Sequence, residues 1–218
     1  MGKRGGGDAR TSRHEQISEE LKQLVGFKLA EIIDRLRLDH RRFRQLLDQL
    51  TQSLKEAHSG DTAAEDRLFC MIEYLTDYPH EIHHPTENLI FARLLEKALT
   101  DEERSMIVQN ANEHQALERE TEDLFERVDS TAPLTSANIA AYVLHQNQHM
   151  DREEQEVFPL AEQLLTSEDL IALDDQYAAL HDPLFDAAES RFSALYDCLD
   201  AKGLRLGAEA MARYLSAT

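Results

Sequence analysis

Leu29, Ile33, Leu36, His40, Phe43, Leu47, Leu50 and Leu54 follow one another at alternating steps of four and three. That spacing draws one apolar stripe along about seven turns of helix, and such a stripe is stable only when packed against other helices. Its one polar member is His40. The helix is expected to end near His58, Ser59 and Gly60. A second helix follows, with Asp61 or Thr62 as cap and Glu65 in capping-box position for Thr62. Leu68, Ile72 and Leu75 mark its inner face, and the pattern runs on to Leu99 through YPHEIHHPTENLIFARLL at 78–95. Pro79 and Pro85 lie inside it. Proline in a helix interior removes a hydrogen bond and bends the axis, so a kink is expected around the histidines.

A third helix, capped by residues 100–103, carries Ile107, His114, Leu117, Leu124 and Val128, with Asn110 and Thr121 at the intermediate steps. It ends near Asp129, before Pro133. A fourth starts near Thr135 or Ser136 and shows Ile139, Tyr142, Gln146, His149, Glu153 and Leu160, with Pro159 bending it late. Residues 167–202 form a fifth helical segment with a stripe of its own, including Leu173, Tyr177, Leu180, Leu184, Leu195 and Leu199. Nothing reads as strand, so the fold class is all-α. The expected organisation is an extension at 1–26, a bundle at 27–165 and a C-terminal helical extension at 166–218 packing on the bundle. Residues 1–12 are Gly-rich and basic and are expected to be disordered. Residues 14–26 form either a short separate helix or an extension of the next one.

Composition narrows the function. With 23 basic and 42 acidic residues in 218, the net charge is −19. Such a field repels nucleic acid and anionic membrane, which excludes both as partners. No secretory signal and no membrane-spanning run is visible, so the cytoplasm is the expected location. The two cysteines, Cys70 and Cys198, sit in apolar helical patterns, form no metal-like pair and fit a reducing compartment.

Four successive helices therefore each place a histidine on an otherwise apolar seam: His40, His83, His114 and His149. Two of these have a carboxylate one turn later, Glu87 after His83 and Glu153 after His149. Residues four apart face the same side of a helix. Each pair can grip one metal ion or two adjacent ones. A lone seam histidine is usually a hydrogen-bonded core residue. Four of them on four helices, two with carboxylates at one offset, make an ion site the better reading, because burying so many titratable groups unpaired is costly. Imidazole and carboxylate ligands suit iron, manganese or zinc. His80 and His145, each four residues before another histidine, are candidate outer partners. Glu118 matches the pairing geometry with His114, though an exposed acid fits equally, and Tyr142 is a packing residue or a hydrogen-bond donor to the site.

The segments RLRLDHRRFRQLLDQL around His40, YPHEIHHPTENLIFARLLE around His83, EHQAL around His114 and HMDREEQEVFPLAE around His149 together resemble hemerythrin-like proteins of the His-His-Glu cation-binding type. The resemblance implies an up-down four-helix bundle around a bridged metal pair, most simply two irons, with an additional C-terminal helical segment here. It implies metal ligation by His40, His83, His84, Glu87, His114, His149 and Glu153. Glu87 would bridge both ions, His40 and His83 would serve one, and His114, His149 and Glu153 the other, with His84 as an added ligand that could fill the position oxygen needs. The oxygen-carrying members have two histidines four apart on the third helix, where this chain has His114 and Glu118. They have a histidine and an aspartate five apart on the fourth, where this chain has His149 and Glu153.

Two functions follow. One is a non-haem di-iron protein that binds or senses oxygen, nitric oxide or peroxide, or handles iron. The other is a structural or regulatory metal site whose occupancy sets bundle stability, with the fifth segment as an interaction helix or the face of a homodimer. A ferritin-like oxidase fits less well, since such sites are mostly glutamate.

Overall fold

The computed structural model describes residues 8–128, 134–166, 168–169, 171–173 and 176, with side chains from residue 32 onward. It contains α1 (Asp8–His58), α2 (Thr62–Tyr78), α3 (His84–Leu95), α4 (Asp101–Val128), α5 (Ser136–Arg152) and α6 (Phe158–Leu164). Short π-helical turns, Pro79–His83 and Glu153–Val157, join α2 to α3 and α5 to α6. The described residues contain no strand. Four rods result: α1, α2 with α3, α4, and α5 with α6. Each of α1 and α4 packs against both of the other two, which closes a four-helix bundle.

The seam residues predict this packing. Ile33, Leu36, His40, Phe43, Leu47, Leu50 and Leu54 are all buried. Leu29 lies among the residues whose side chains are not described. The α1 helix starts at Asp8, so residues 14–26 extend it and helix reaches into the stretch expected to be disordered. No proline interrupts it from there to His58. It closes in a Schellman turn. Gly60 takes a φ of 92°, the left-handed conformation glycine adopts without steric cost, and the Asp61 amide donates to the Glu56 carbonyl at 3.2 Å. Asp61, rather than Thr62, then caps α2 by accepting from the amides of Ala63 and Ala64 at 2.9 and 3.3 Å, so Glu65 completes no capping box. The expected caps of α4 and α5 form as reciprocal boxes, Thr100 with Glu103 and Thr135 with Asn138.

The prolines produce bulges rather than simple bends. In the first π turn the His84 amide donates to the Pro79 carbonyl, and Pro85 follows; in the second the Phe158 amide donates to Glu153, and Pro159 follows. A proline ring clashes with the carbonyl four residues back and offers no amide. Widening the preceding turn by one residue accommodates both problems without breaking the rod. The widened turns lie at the same height as the histidines. They divide the core into two apolar clusters. One, towards the α1–α2 turn, includes Phe43, Leu47, Leu50, Met71, Leu75 and Ile139. The other includes Ile33, Leu36, Ile90, Leu94, Ile107 and Phe158.

Most of the fifth segment, and with it His181 and Cys198, falls outside the described residues. Part of its first turn is described and docks on the bundle. Asp169 caps it together with Thr166, pairs with Lys97 beyond α3, and lies 3.8 Å from Arg93. Leu173 is buried in the second apolar cluster. Burial by itself would push the Asp169 carboxyl up, but Lys97 and Thr166 outweigh it and hold the carboxyl at about 2. A carboxyl depressed on folding stabilises above its unfolded value near 3.9 and loses that contribution as pH falls through the folded value. Asp169→Asn should therefore cost about 1–2 kcal/mol at neutral pH. The gap between variant and wild type should close as pH falls from about 4 to about 2, as measured by urea denaturation.

Candidate metal centre

Between the two apolar clusters all seven residues singled out from the sequence come together, each no more than 4 % exposed. α1 supplies His40, and the first π turn supplies His83. α3 supplies His84 and Glu87, α4 His114, α5 His149, and the second π turn Glu153. His83 and His84 are neighbours in sequence, yet both point inward, on the wide turn and just after it.

Glu87 lies at the centre, fully buried. Its Oε1 is 3.3 Å from Nε2 of His40 and 3.1 Å from Nε2 of His83, while its Oε2 is 3.4 Å from Nε2 of His114. Glu153 spans the same gap. One of its oxygens lies 3.5 Å from His40, and the other lies 3.5 Å from His114 and 3.2 Å from His149. The donor atoms of His40, His83 and Glu87 lie within 4.8 Å of one another, and so do those of His84, Glu87, His114 and His149. Two groups that share one carboxylate could thus each seat a cation. His84 joins the group of His114 and His149, leaving the His40 side with two imidazoles against three.

The chemistry of these atoms fits a cation better than a network of hydrogen bonds. Both oxygens of Glu87, Oε2 of Glu153 and Nε2 of His149 are buried with no hydrogen-bond partner. Buried polar atoms left this way cost about 1–3 kcal/mol each. Aromatic rings close the layer: Phe43 meets His83 edge-on at 5.0 Å, Phe158 stacks on His40 at 5.7 Å and Phe91 on His114 at 5.6 Å.

Behind four of the imidazoles stands a carboxylate from a different rod. Glu154 holds Nδ1 of His40 at 2.9 Å, Asp39 approaches that of His83 at 3.5 Å, Glu113 that of His149 at 3.3 Å and Glu118 that of His84 at 3.8 Å. Such partners orient a ring and fix which nitrogen carries its proton. Sequence reasoning missed Asp39, Glu113 and Glu154. Each is the immediate chain neighbour of a site residue, which was the signal available. The outer partners expected at His80 and His145 are different. His145 pairs with Glu120 at 2.9 Å and does not touch the site, while the exposed His80 sits 3.0 Å from Glu118 on its outer side. Glu118 faces His84 rather than pairing with His114. Tyr142 packs beside Thr121 and Gln146, whose amide donates to its hydroxyl at 3.1 Å. Burial pushes that phenol up to about 12.

Charge in the layer is strongly coupled. Burial lowers the affinity of His83 for a proton, but the Glu87 carboxylate and Asp39 outweigh it and raise the imidazole to about 10. Burial likewise opposes His114, which Glu153 and Glu87 raise to about 9. His84 goes the other way, to about 3, through burial and the neighbouring charge of His114. Burial disfavours the Glu87 carboxylate, yet His83, His114 and His40 hold it well below the usual range.

Fold and site together define a class: a helical bundle whose central layer of histidines and carboxylates is built to bind cations. The chain belongs to the hemerythrin family, since the family model described as the hemerythrin HHE cation binding domain matches residues 31–161. No curated protein and no solved structure matches it.

Ligation requires neutral imidazoles, so loading must displace protons from the imidazoles whose affinity is raised, His83 and His114 and, with burial outweighed by Glu154 and Glu87, His40. Titrating the metal-free protein with a divalent cation near pH 7.5 should release about two to three protons per chain, read as a dependence of the calorimetric heat on the ionisation enthalpy of the buffer. A heat independent of buffer contradicts this protonation pattern.

Proposed function

We propose that the protein holds a pair of metal ions, iron before manganese or zinc, and uses the pair to bind or sense oxygen, nitric oxide or peroxide, or to handle iron. The observation that carries this reading is the position of Glu87. Its two oxygens face two different sets of imidazoles and have no other partner. In this reading His40 and His83 would hold one ion and His84, His114 and His149 the other, with Glu87 and Glu153 available to both.

When bound, such a pair exchanges electrons with a diatomic molecule or a peroxide. The chain's own residues set the conditions. Phe43, Phe91 and Phe158 keep water from the layer. Glu154 and Glu113, hydrogen-bonded to Nδ1 of His40 and His149, fix the orientation of those rings and make them better donors. The His40 and His83 group offers one imidazole fewer, so an incoming small ligand would compete with fewer protein donors there. His84 would serve the other ion.

A second reading draws on burial. Seven polar groups enclosed between two apolar clusters weaken the bundle unless an ion neutralises them, so occupancy itself can control stability and be read by a partner.

Elemental analysis of the native protein should find two metal ions per chain, falling to one or none when His83→Ala is combined with Glu87→Ala. Adding oxygen, nitric oxide or peroxide to the ferrous protein should produce a new charge-transfer band. Fewer than one ion per native chain overturns both readings. Two ions that raise the melting temperature without any such band leave only the second.

A further inference from the structure

The four carboxylates behind the imidazoles are not alike. Asp39 is bound by Arg42 at 3.1 Å, Glu113 by Arg152, and Glu154 lies 3.8 Å from Arg44. Each of those three positions therefore presents a fixed guanidinium to an approaching cation and repels it. Among the described residues Glu118 has no such guard. Its partners are two histidines, four residues apart on the opposite rod, and both lie against the same oxygen. His80 is 3.0 Å from it on the solvent side, and Nδ1 of His84 is 3.8 Å from it on the inner side.

These three residues form a gradient from water to the core. The side chain of His80 is 62 % exposed, that of Glu118 28 % and that of His84 5 %. Nδ1 of His84 is buried without a hydrogen-bond partner, so a lone pair or a proton at the inner end of this track is unsatisfied. On its far side the His84 ring stacks on His114 at 4.2 Å and belongs to the inner donor group with Glu87 and His149. Imidazole and carboxylate at hydrogen-bonding distance, one of them exposed, make a cation ligand pair that needs no rearrangement of the fold.

We infer that His80 and Glu118 form a peripheral capture site for divalent transition-metal ions, with His84 at its inner edge, through which the central layer is loaded. The inference rests on the metal-pair reading above and adds a route to it. Glu118 attracts the ion into the gap between the rods, His80 replaces part of its hydration shell, and His84 connects that position to Glu87. The strongly negative molecule concentrates cations near its surface in general. The pair of ligands at Glu118 decides where they are taken up.

The test uses the full-length metal-free chain and cobalt(II), whose visible absorption reports ligand binding in a stopped-flow instrument. Wild type should take up two ions. His80→Ala should reach the same two ions about tenfold more slowly. His80→Lys should be slower still, because it gives Glu118 the fixed positive partner that the other three carboxylates have. Glu118→Gln should also slow uptake. His145→Ala removes a less exposed histidine that pairs with Glu120 outside the central layer, and it should load at the wild-type rate. Equal rates for wild type, His80→Ala and His80→Lys, with two ions bound in each, overturn the capture site and leave the metal pair standing. Failure of wild type to take up two ions overturns both.

Discussion

The structure depends on a carboxylate that cannot be left alone. Glu87 is fully enclosed, carries charge, and meets imidazole nitrogens from α1, the first π turn and α4. Isolated in an apolar core, such a group would either lose its charge or unfold its surroundings. Everything at that height serves to satisfy it. Three of the four rods direct histidines at it or at its neighbour Glu153, and the fourth contributes both His149 and Glu153 itself. The remaining polar edges of the rings are turned outward to a second set of acids. Asp39, Glu113, Glu118 and Glu154 each face a histidine on another rod, two of them through hydrogen bonds, so charge contacts run around the whole bundle. Rods that would otherwise slide along smooth leucine seams are held in register by them.

The leucine-rich clusters above and below do different work. They contribute most of the hydrophobic driving force, at about 1.5–3 kcal/mol for each large side chain buried. They also exclude water from the layer between them, so that every charge interaction there acts in a low-dielectric medium. The three phenylalanines that face imidazoles mark the boundary where one role becomes the other.

How much of this was legible beforehand depended on period. The α1 seam, repeating without a miss from Ile33 to Leu54, identified a bundle helix and set His40 inside it. The same logic placed His83, His114 and His149 and the two carboxylates one turn after a histidine. Family resemblance supplied His84, which no helical period would bring inward beside His83. The outer acids were not legible. In a chain with 42 acidic residues, whether a given carboxylate turns towards a neighbouring rod is decided by interhelical packing, which local spacing does not encode. His80 and His145 illustrate the reverse error. Both stand four residues before a histidine, and yet one faces solvent beyond Glu118 and the other turns to Glu120. The prolines signalled irregularity at the right places, but a bend and a widened turn look the same in sequence.

The two widened turns bear on how lengths are compared among such chains. Each holds a surplus residue in the middle of a rod, with the hydrogen-bonded ladder continuing on both sides. When such a chain is set beside a relative with uninterrupted helices, the single-position gap between them belongs inside a helix, ahead of Pro85 or Pro159, and not in a connecting loop. Moving that gap to a loop would rotate every position between the widened turn and that loop by about a quarter of a turn and pair the wrong side chains with the histidines and carboxylates of the central layer.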